Sequence, residues 1–347
     1  MRKEPDVSII VVSWNTREIL RDCLRSIYEQ AGDVSFEIIV VDNGSTDGSA
    51  EMVAARFTAV QLIANPENRG FAAANNQGMA LARGRYVLLL NSDTIVLNGA
   101  IAKSVAFADA HVGAAVVGCR VWNAERVVQN SCFLFPSALN LMLFATYGYK
   151  LFPKSRFWGR EMMTYWDHRE VRPVDVVSGC YMLVRRAVIE QVGMMDEAFF
   201  IYAEETDWCY RFRQAGWQVL FFPAASIIHL GGASSCQVEA QMKLQAAGGI
   251  LYFLKKHQSR WEYTCGCFFM ALFFLIRLPL WWGRGGLLPH ARAFVARRAN
   301  VRGRGARRLR RLSRPLCRPA RERTPRGAGA PAAGPGGPIN AGLSSCA

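Results

Sequence analysis

The sequence predicts an α/β protein with a Rossmann-like, mostly parallel sheet flanked by helices, and three features predict it. Short runs dominated by apolar residues recur at 7–12, 37–41, 60–63 and 86–90, helical spacing lies between them, and polar clusters follow them directly. Runs too short for a membrane span and without strict alternation suit strands covered on both faces, as helical crossovers between parallel strands produce. The order βαβαβαβ then implies right-handed crossovers, and polar clusters at strand ends fall where open sheets bind ligands.

Val7-Ser8-Ile9-Ile10-Val11-Val12 reads as the first strand. Asn15-Thr16-Arg17-Glu18 has capping-box spacing and opens a helix with Ile19, Leu20, Cys23, Leu24 and Ile27 on one face. Glu37 to Val41 is the second strand, ending in Asp42-Asn43-Gly44-Ser45-Thr46-Asp47-Gly48, where small residues let backbone approach a ligand. A third strand, Val60 to Ile63, leads through Asn65-Pro66-Glu67-Asn68-Arg69-Gly70 to a helix from Phe71 to Ala82. Arg69 and Gly70 thus stand where a loop meets a helix start, a natural anion site. Asn75 lies within that helix, where asparagine is a mediocre helix former and polar ligand contact gives it a purpose. Tyr86 to Leu90 is the fourth strand, and Asn91-Ser92-Asp93-Thr94 follows, delivering Asp93 to the crevice beyond the strand ends.

Later, Glu204-Glu205-Thr206-Asp207 places three acids at the start of a helix running through Trp208 and Phe212 to Gly216. Clustered like charges raise the proton affinity of at least one of them, the direction a general base needs. Gln218 to Phe222 is a further strand, with His229-Leu230-Gly231-Gly232 after it.

Half of the 347 residues are apolar, which excludes a disordered chain. The net charge of +15 resembles that of a nucleic-acid binder, but residues 284–347 hold fifteen arginines and a single acid, leaving the rest close to neutral. Nucleic acid is therefore not the expected partner. Ten scattered cysteines form no Cys-x-x-Cys pair, so neither a zinc ribbon nor a disulfide framework is indicated, and a reducing cytosol is expected. The run Val7–Val12 is too short for a signal-peptide core.

No Gly-x-Gly-x-x-Gly or Walker lysine motif is present, and no glycine precedes Gly32. The phosphates of a nucleotide must then be handled by something other than a glycine-rich first turn. A divalent cation held by Asp93 is the economical solution, because a hard ion takes few carboxylates and leaves positions for phosphate oxygens.

Val7–Leu20, Val-Val-Asp-Asn-Gly-Ser-Thr-Asp at 40–47, Asn68–Asn76 and Leu90-Asn91-Ser92-Asp93 together resemble family 2 glycosyltransferases of the GT-A fold, particularly the rhamnosyltransferase-like branch. Ser178-Gly179-Cys180-Tyr181 and Phe199–Arg211 extend the resemblance, which covers roughly residues 7–235. It implies a Mg or Mn ion at Asp93, completed by His229, and nucleoside contacts from Asp42 and Asn15 with Asn43, Arg69, Gly70, Asn75 and Asn91 in the donor site. It implies an inverting reaction with a catalytic carboxylate among Glu204, Glu205 and Asp207. Two positions depart from the wider family pattern: Asn43 stands where an Asp is common, and Glu205 where the assigned base is usually Asp. The second departure leaves Glu205 and Asp207 as alternative bases, with Glu205 preferred.

The resemblance assigns a nucleoside diphosphate sugar as donor, with dTDP-rhamnose the specific candidate, and a cell-surface glycan or polyprenyl-linked glycolipid as acceptor. A sugar nucleotidyltransferase and a non-catalytic carbohydrate- or lipid-binding module are the alternatives. The sequence divides into a catalytic domain at 1–240, an apolar helical segment at 241–283 and a basic low-complexity tail at 284–347 expected to be disordered. Phe133 to Trp166 mixes aromatic and basic residues, and Cys265 to Trp282 is almost wholly apolar but broken by Arg277 and Pro279. Both fit a headgroup layer, with Trp281 and Trp282 in its aromatic belt; an ordinary core with snorkelling cations is the alternative for the first, and a single full span or a buried core helix for the second. A peripheral or monotopic place on the cytoplasmic face of the cell membrane is expected.

Overall fold

A computed structural model describes residues 4–231 and 239–282. The chain runs β1 (Val7–Ser13), α1 (Arg17–Gln30), β2 (Phe36–Asn43), α2 (Ser49–Arg56), β3 (Gln61–Asn65), α3 (Phe71–Leu81), β4 (Tyr86–Asn91), β5 (Thr94–Leu97), α4 (Ala100–Ala110) and β6 (Ala114–Trp122). It continues β7 (Val128–Gln129), β8 (Cys132–Phe133), α5 (Ala138–Ala145), α6 (Gly148–Leu151), β9 (Arg172–Pro173), β10 (Val176–Val177), β11 (Tyr181–Arg185) and α7 (Arg186–Val192). Then come α8 (Glu204–Gln214), β12 (Gln218–His229), α9 (Glu239–His257) and α10 (Arg260–Trp282).

The main sheet has the order β3-β2-β1-β4-β11-β6-β12-β5, and β3, β2, β1 and β4 pair in parallel as the sequence predicts. Along β1, Val7, Ile9 and Val11 pack under α1, α2 and α4, whereas Ile10 packs with α3, α7 and α8 on the other face. Burial on both faces is why these strands read as apolar runs rather than alternations.

The second half departs from a purely parallel sheet. β11 runs antiparallel between β4 and β6, and β5 returns antiparallel along β12. Because Tyr181 pairs with Leu90, β11 begins where β4 ends, so Ser178-Gly179-Cys180 lies at the same sheet edge as Asn91-Ser92-Asp93. β12 also outruns its expected end at Phe222. Its pairing with β6 shifts register between Phe222 and Ser226, and the strand then continues to His229, which pairs with Thr94. Pro223 looks like a stop in sequence, but a strand irregularity absorbs it.

The capping box is not formed. Thr16 is the N-cap of α1 but its side chain makes no capping bond to the helix, and Asn15 adopts a left-handed φ of 51°. Its Oδ1 instead accepts the Thr46 N–H at 2.8 Å, so the side chain ties the loop after β1 to the loop after β2.

The two C-terminal helices belong to the same compact unit as the sheet, which extends to Leu280. Phe253, Leu254 and Met270 form a third core with Leu141 of α5 and with Phe199 and Ala203 ahead of α8. Gly249 permits this contact, since a Cβ there would lie 2.5 Å from the Tyr202 carbonyl oxygen. Arg277 turns inward: its guanidinium donates to the carbonyls of Phe273 at 2.8 Å and of Ala145 and Phe144 at 3.4 Å, capping the end of α5. Among the described residues no helix is long and apolar enough to cross a membrane. The expectations for 284–347 and for the Trp281 and Trp282 side chains fall outside the described residues.

Candidate active site

The loops after β1, β2 and β4 are stitched together at one sheet edge. Ser13 Oγ lies 2.9 Å from Thr16 Oγ1, which lies 3.2 Å from Ser92 Oγ, so a hydroxyl chain joins the end of β1 to the residue before Asp93. Asp42 stands beside Ser13 in register. Its Oδ2 accepts the Ser45 N–H at 3.0 Å, while Oδ1 is buried without a partner among the described residues. A buried carboxylate oxygen left unpaired is costly, and a ligand donor would relieve it. Asn15 is anchored to the same loop, its N–H donating to Ser45 Oγ at 2.9 Å.

Asn43 serves the structure more than a ligand. Its Oδ1 accepts from the Arg69 N–H at 3.0 Å and Asn65 Nδ2 at 3.1 Å, and its Nδ2 donates to Asn68 Oδ1 and the Gly70 carbonyl. The amide thus braces the Arg69-Gly70 turn. Gly70 has φ +86°, and a Cβ there would come within 2.5 Å of the Phe200 carbonyl oxygen. The Phe71 N–H donates to that same oxygen at 2.6 Å, holding the start of α3 against the lead into α8. Arg69 itself is exposed. Asn75 is buried, with Nδ2 donating to the Phe71 carbonyl one helical turn back at 2.9 Å.

Asp93 and His229 meet through the β5–β12 pairing. Asp93 Oδ1 lies 3.2 Å from His229 Nε2, and Asn91 Nδ2 lies 3.4 Å from the same nitrogen. The Gln129 amide stands 3.1 Å from His229 Nδ1 on the far side of the ring. If Gln129 accepts a proton from Nδ1, Nε2 is bare and can coordinate a cation; if Gln129 donates, Nε2 carries the proton toward Asp93. No motif in the sequence marks Gln129. It sits on a two-residue strand and becomes visible only when β7 pairs with β6. Among the described residues no cluster of three or more His, Cys, Asp or Glu could hold a metal ion.

Glu204 and Glu205 open α8 behind Ala203, whose φ is 70°. Each keeps Oε2 buried with no hydrogen-bond partner among the described residues. Burial, then the adjacent Glu205 charge, pushes Glu204 well above the ordinary glutamate range. Burial raises Glu205 as well, against backbone N–H groups of the first helical turn that favour its charged form. Both acids are thus pushed toward higher proton affinity, the direction a general base needs.

Gly179 gives Glu205 room: a Cβ on that glycine would stand 4.0 Å from Glu205 Cβ and 3.5 Å from the Phe71 ring. The next residue, Cys180, accepts the Asn91 N–H on its carbonyl at 3.2 Å. Burial pushes the Cys180 thiol up to about 12, and the charges of both Asp93 and Glu205 push the same way. Gly179 thus adjoins Glu205, and Cys180 is hydrogen-bonded to Asn91, whose loop carries Asp93 to His229. Asp207 is elsewhere. It is fully buried, with Lys256 Nζ and His257 Nε2 each 2.7 Å away and Arg211 Nε at 2.8 Å. Burial alone would raise it, but these three partners together hold it below the usual aspartate range.

The sequence matches the family model of glycosyl transferase family 2 over residues 8–193. The chain belongs to that family. This glycosyltransferase is 27% identical over 269 residues to an N-acetylglucosaminyl-diphospho-decaprenol L-rhamnosyltransferase of Mycobacterium tuberculosis, covering 73% of this chain and 85% of that one. It is also 27% identical over 213 residues to a low-salt glycan biosynthesis hexosyltransferase of Haloferax volcanii, covering 60% and 62% of the two chains. Among solved structures, the mannosyltransferase PcManGT of Pyrobaculum calidifontis, in complex with GDP-Man and Mn2+, superposes with a TM-score of 0.52 at 18% identity over 86% of this chain and 81% of that one. The fold of this glycosyltransferase is accordingly GT-A.

Proposed function

We propose that this glycosyltransferase moves a sugar from a nucleoside diphosphate to a hydroxyl of a glycan or polyprenyl-linked glycolipid, with inversion at the anomeric carbon, at the cytoplasmic face of the membrane. Rhamnose from dTDP-rhamnose is the specific donor proposed, by likeness to the mycobacterial relative. The observation that supports the reading is that one turn adjoins both groups: Cys180 is hydrogen-bonded to Asn91 beside the Asp93–His229 pair, and Gly179 lies against Glu205.

Asp42, with its unpaired Oδ1, and Asn15 would hold the nucleoside end, and the Arg69-Gly70 turn would hold phosphate. Asp93 oxygen and His229 nitrogen are suitable donors for Mg2+ or Mn2+, and two protein ligands leave the other positions to diphosphate oxygens and water. Such an ion would supply charge stabilisation to the leaving diphosphate. Glu205 accepts the proton of the acceptor hydroxyl as that oxygen bonds to the anomeric carbon. The bond from that carbon to the diphosphate oxygen breaks, and the diphosphate leaves with the electron pair. The test is a screen of nucleotide sugars with Mg2+ or Mn2+ against membrane extracts, reading nucleoside diphosphate release. Turnover with dTDP-rhamnose is expected, and free pyrophosphate in its place would overturn the reading.

A further inference from the structure

The outer face of α10 is apolar and open. Trp261, Phe268 and Leu275 recur every seven residues and are 75%, 63% and 60% exposed, a line about 21 Å long at helical rise. Its inner face is fully engaged: Gly266 admits Leu254 and Leu141, and Met270 and Phe273 join the third core. The helix opens on the exposed Arg260, and its other two charges turn inward. Glu262 accepts the Ala138 N–H at 2.7 Å, and Arg277 caps α5, so no charge between them reaches the outer face.

Beside the second half of α10 lies the segment around α6. Phe144 stacks on both Phe273 and Tyr149, with ring centroids 5.2 and 5.1 Å apart, and Arg277 sits 3.9 Å over the Tyr147 ring. From this segment Leu151, Phe152 and Phe157 are 70%, 54% and 51% exposed. Lys150, Lys154 and Arg156 are exposed among them, and residues 150–160 contain no acid.

We infer that α10 and the 150–157 segment form a docking face for an anionic lipid surface, α10 lying in the plane of the membrane. From Phe268 to Leu275 the line is flanked by uncharged residues, which suits hydrocarbon, whereas a helix pairing in water places charges beside its seam; here the neighbours are Cys265, Cys267, Phe269, Leu272 and Phe274. The lysines and arginine of 150–156 match anionic headgroups, while Leu151, Phe152 and Phe157 enter below them. The inference deepens the proposed membrane-face reaction and rests on it for its purpose, since a polyprenyl-linked acceptor is confined to that surface. Through α9, packed on Tyr202 at Gly249, the face connects to the lead into α8.

The test is flotation of the full-length protein with phosphatidylglycerol or phosphatidylcholine vesicles, at low salt and in about 0.5 M NaCl, where charge alone is screened. The salt arm matters because the fifteen arginines of 284–347 also attract anionic lipid. Wild type is expected to favour phosphatidylglycerol and to retain binding at high salt. The Phe268→Glu, Leu275→Glu pair should lose at least roughly tenfold at high salt, and the Lys150→Gln, Lys154→Gln, Arg156→Gln triple should lose mainly the low-salt preference. Wild type that fails to float, a pair that floats like wild type, or a vesicle-free dimer split by the pair would each overturn the inference. Nucleoside diphosphate release with a soluble acceptor separates the two readings. Release without vesicle binding removes the docking face and leaves the transfer, and binding without release does the reverse.

Discussion

The two ends of one helical turn at the start of α8 treat the same functional group in opposite ways. At its front, Glu204 and Glu205 carry buried oxygens without partners among the described residues, and burial raises both. Two residues on, Asp207 is buried more completely, yet three cationic or imidazole groups hold it below the usual range. Burial is common to both, so the difference comes from what lies opposite: Glu205 has Gly179 and the Phe71 ring nearby and an oxygen without a donor among the described residues, whereas α9 brings Lys256 and His257 to Asp207. A carboxylate with an unpartnered oxygen is available to a substrate proton, and one held by three donors ties two helices together.

The sharpest break in this contrast comes from exchanging amide for acid at each end. Glu205→Gln should lower transfer by about a hundredfold or more with an unchanged melting curve, because it removes only a proton acceptor. Near-normal kcat in a folded variant would take the base role from Glu205. Asp207→Asn should do the opposite, costing about 2–3 kcal/mol in chemical denaturation by leaving His257 and Arg211 without their carboxylate partner and Lys256 with Asp196 alone. Activity should persist in the fraction that remains folded, and a stable, inactive Asp207→Asn would reverse the two assignments.

A smaller effect tests the metal pair. Gln129→Leu removes the amide beside His229 Nδ1 and should weaken Mn2+ binding by roughly tenfold in calorimetry, whereas an unchanged affinity would exclude Gln129 from supporting a metal site at His229.

The finest test is the pH dependence of stability. Glu204 has its folded pKa raised above the ordinary 4.5, so its contribution is present at acidic pH and is lost as pH rises through the raised value. Asp207 is depressed below 3.8, so its contribution is present above that value and is lost as pH falls through the lowered one. Glu204→Gln should therefore gain on the order of 1 kcal/mol over wild type at pH 8 and little at pH 4. Asp207→Asn should lose most at pH 8 and least near pH 3. Parallel melting profiles for both variants would mean that the two ends of the turn do not differ.

The features legible in the sequence are local ones. The apolar runs of β1, β2 and β4 and the helical face of Leu20, Cys23, Leu24 and Ile27 are patterns within one element, and the parallel pairing of β3, β2, β1 and β4 follows from chain order. Asp93 at a strand tip belongs to the same kind of inference. The capping box failed because Asn15 has a stronger use across the chain, on the Thr46 N–H. That competitor lies thirty-one residues away, beyond any window of helical propensity.

The sequence alone determined the two-sided strands, the parallel half of the sheet and the acids at element starts, because side-chain period and short crossovers are properties of neighbouring residues. Tertiary structure decided which acids face one another. The antiparallel entry of β11 puts Gly179 and Cys180 beside Asp93, the irregularity in β12 carries His229 to Thr94 and Asp93, and α9 closes over Asp207. Proton affinity depends on charges and donors within a few ångströms, and those are supplied by segments far apart in the chain.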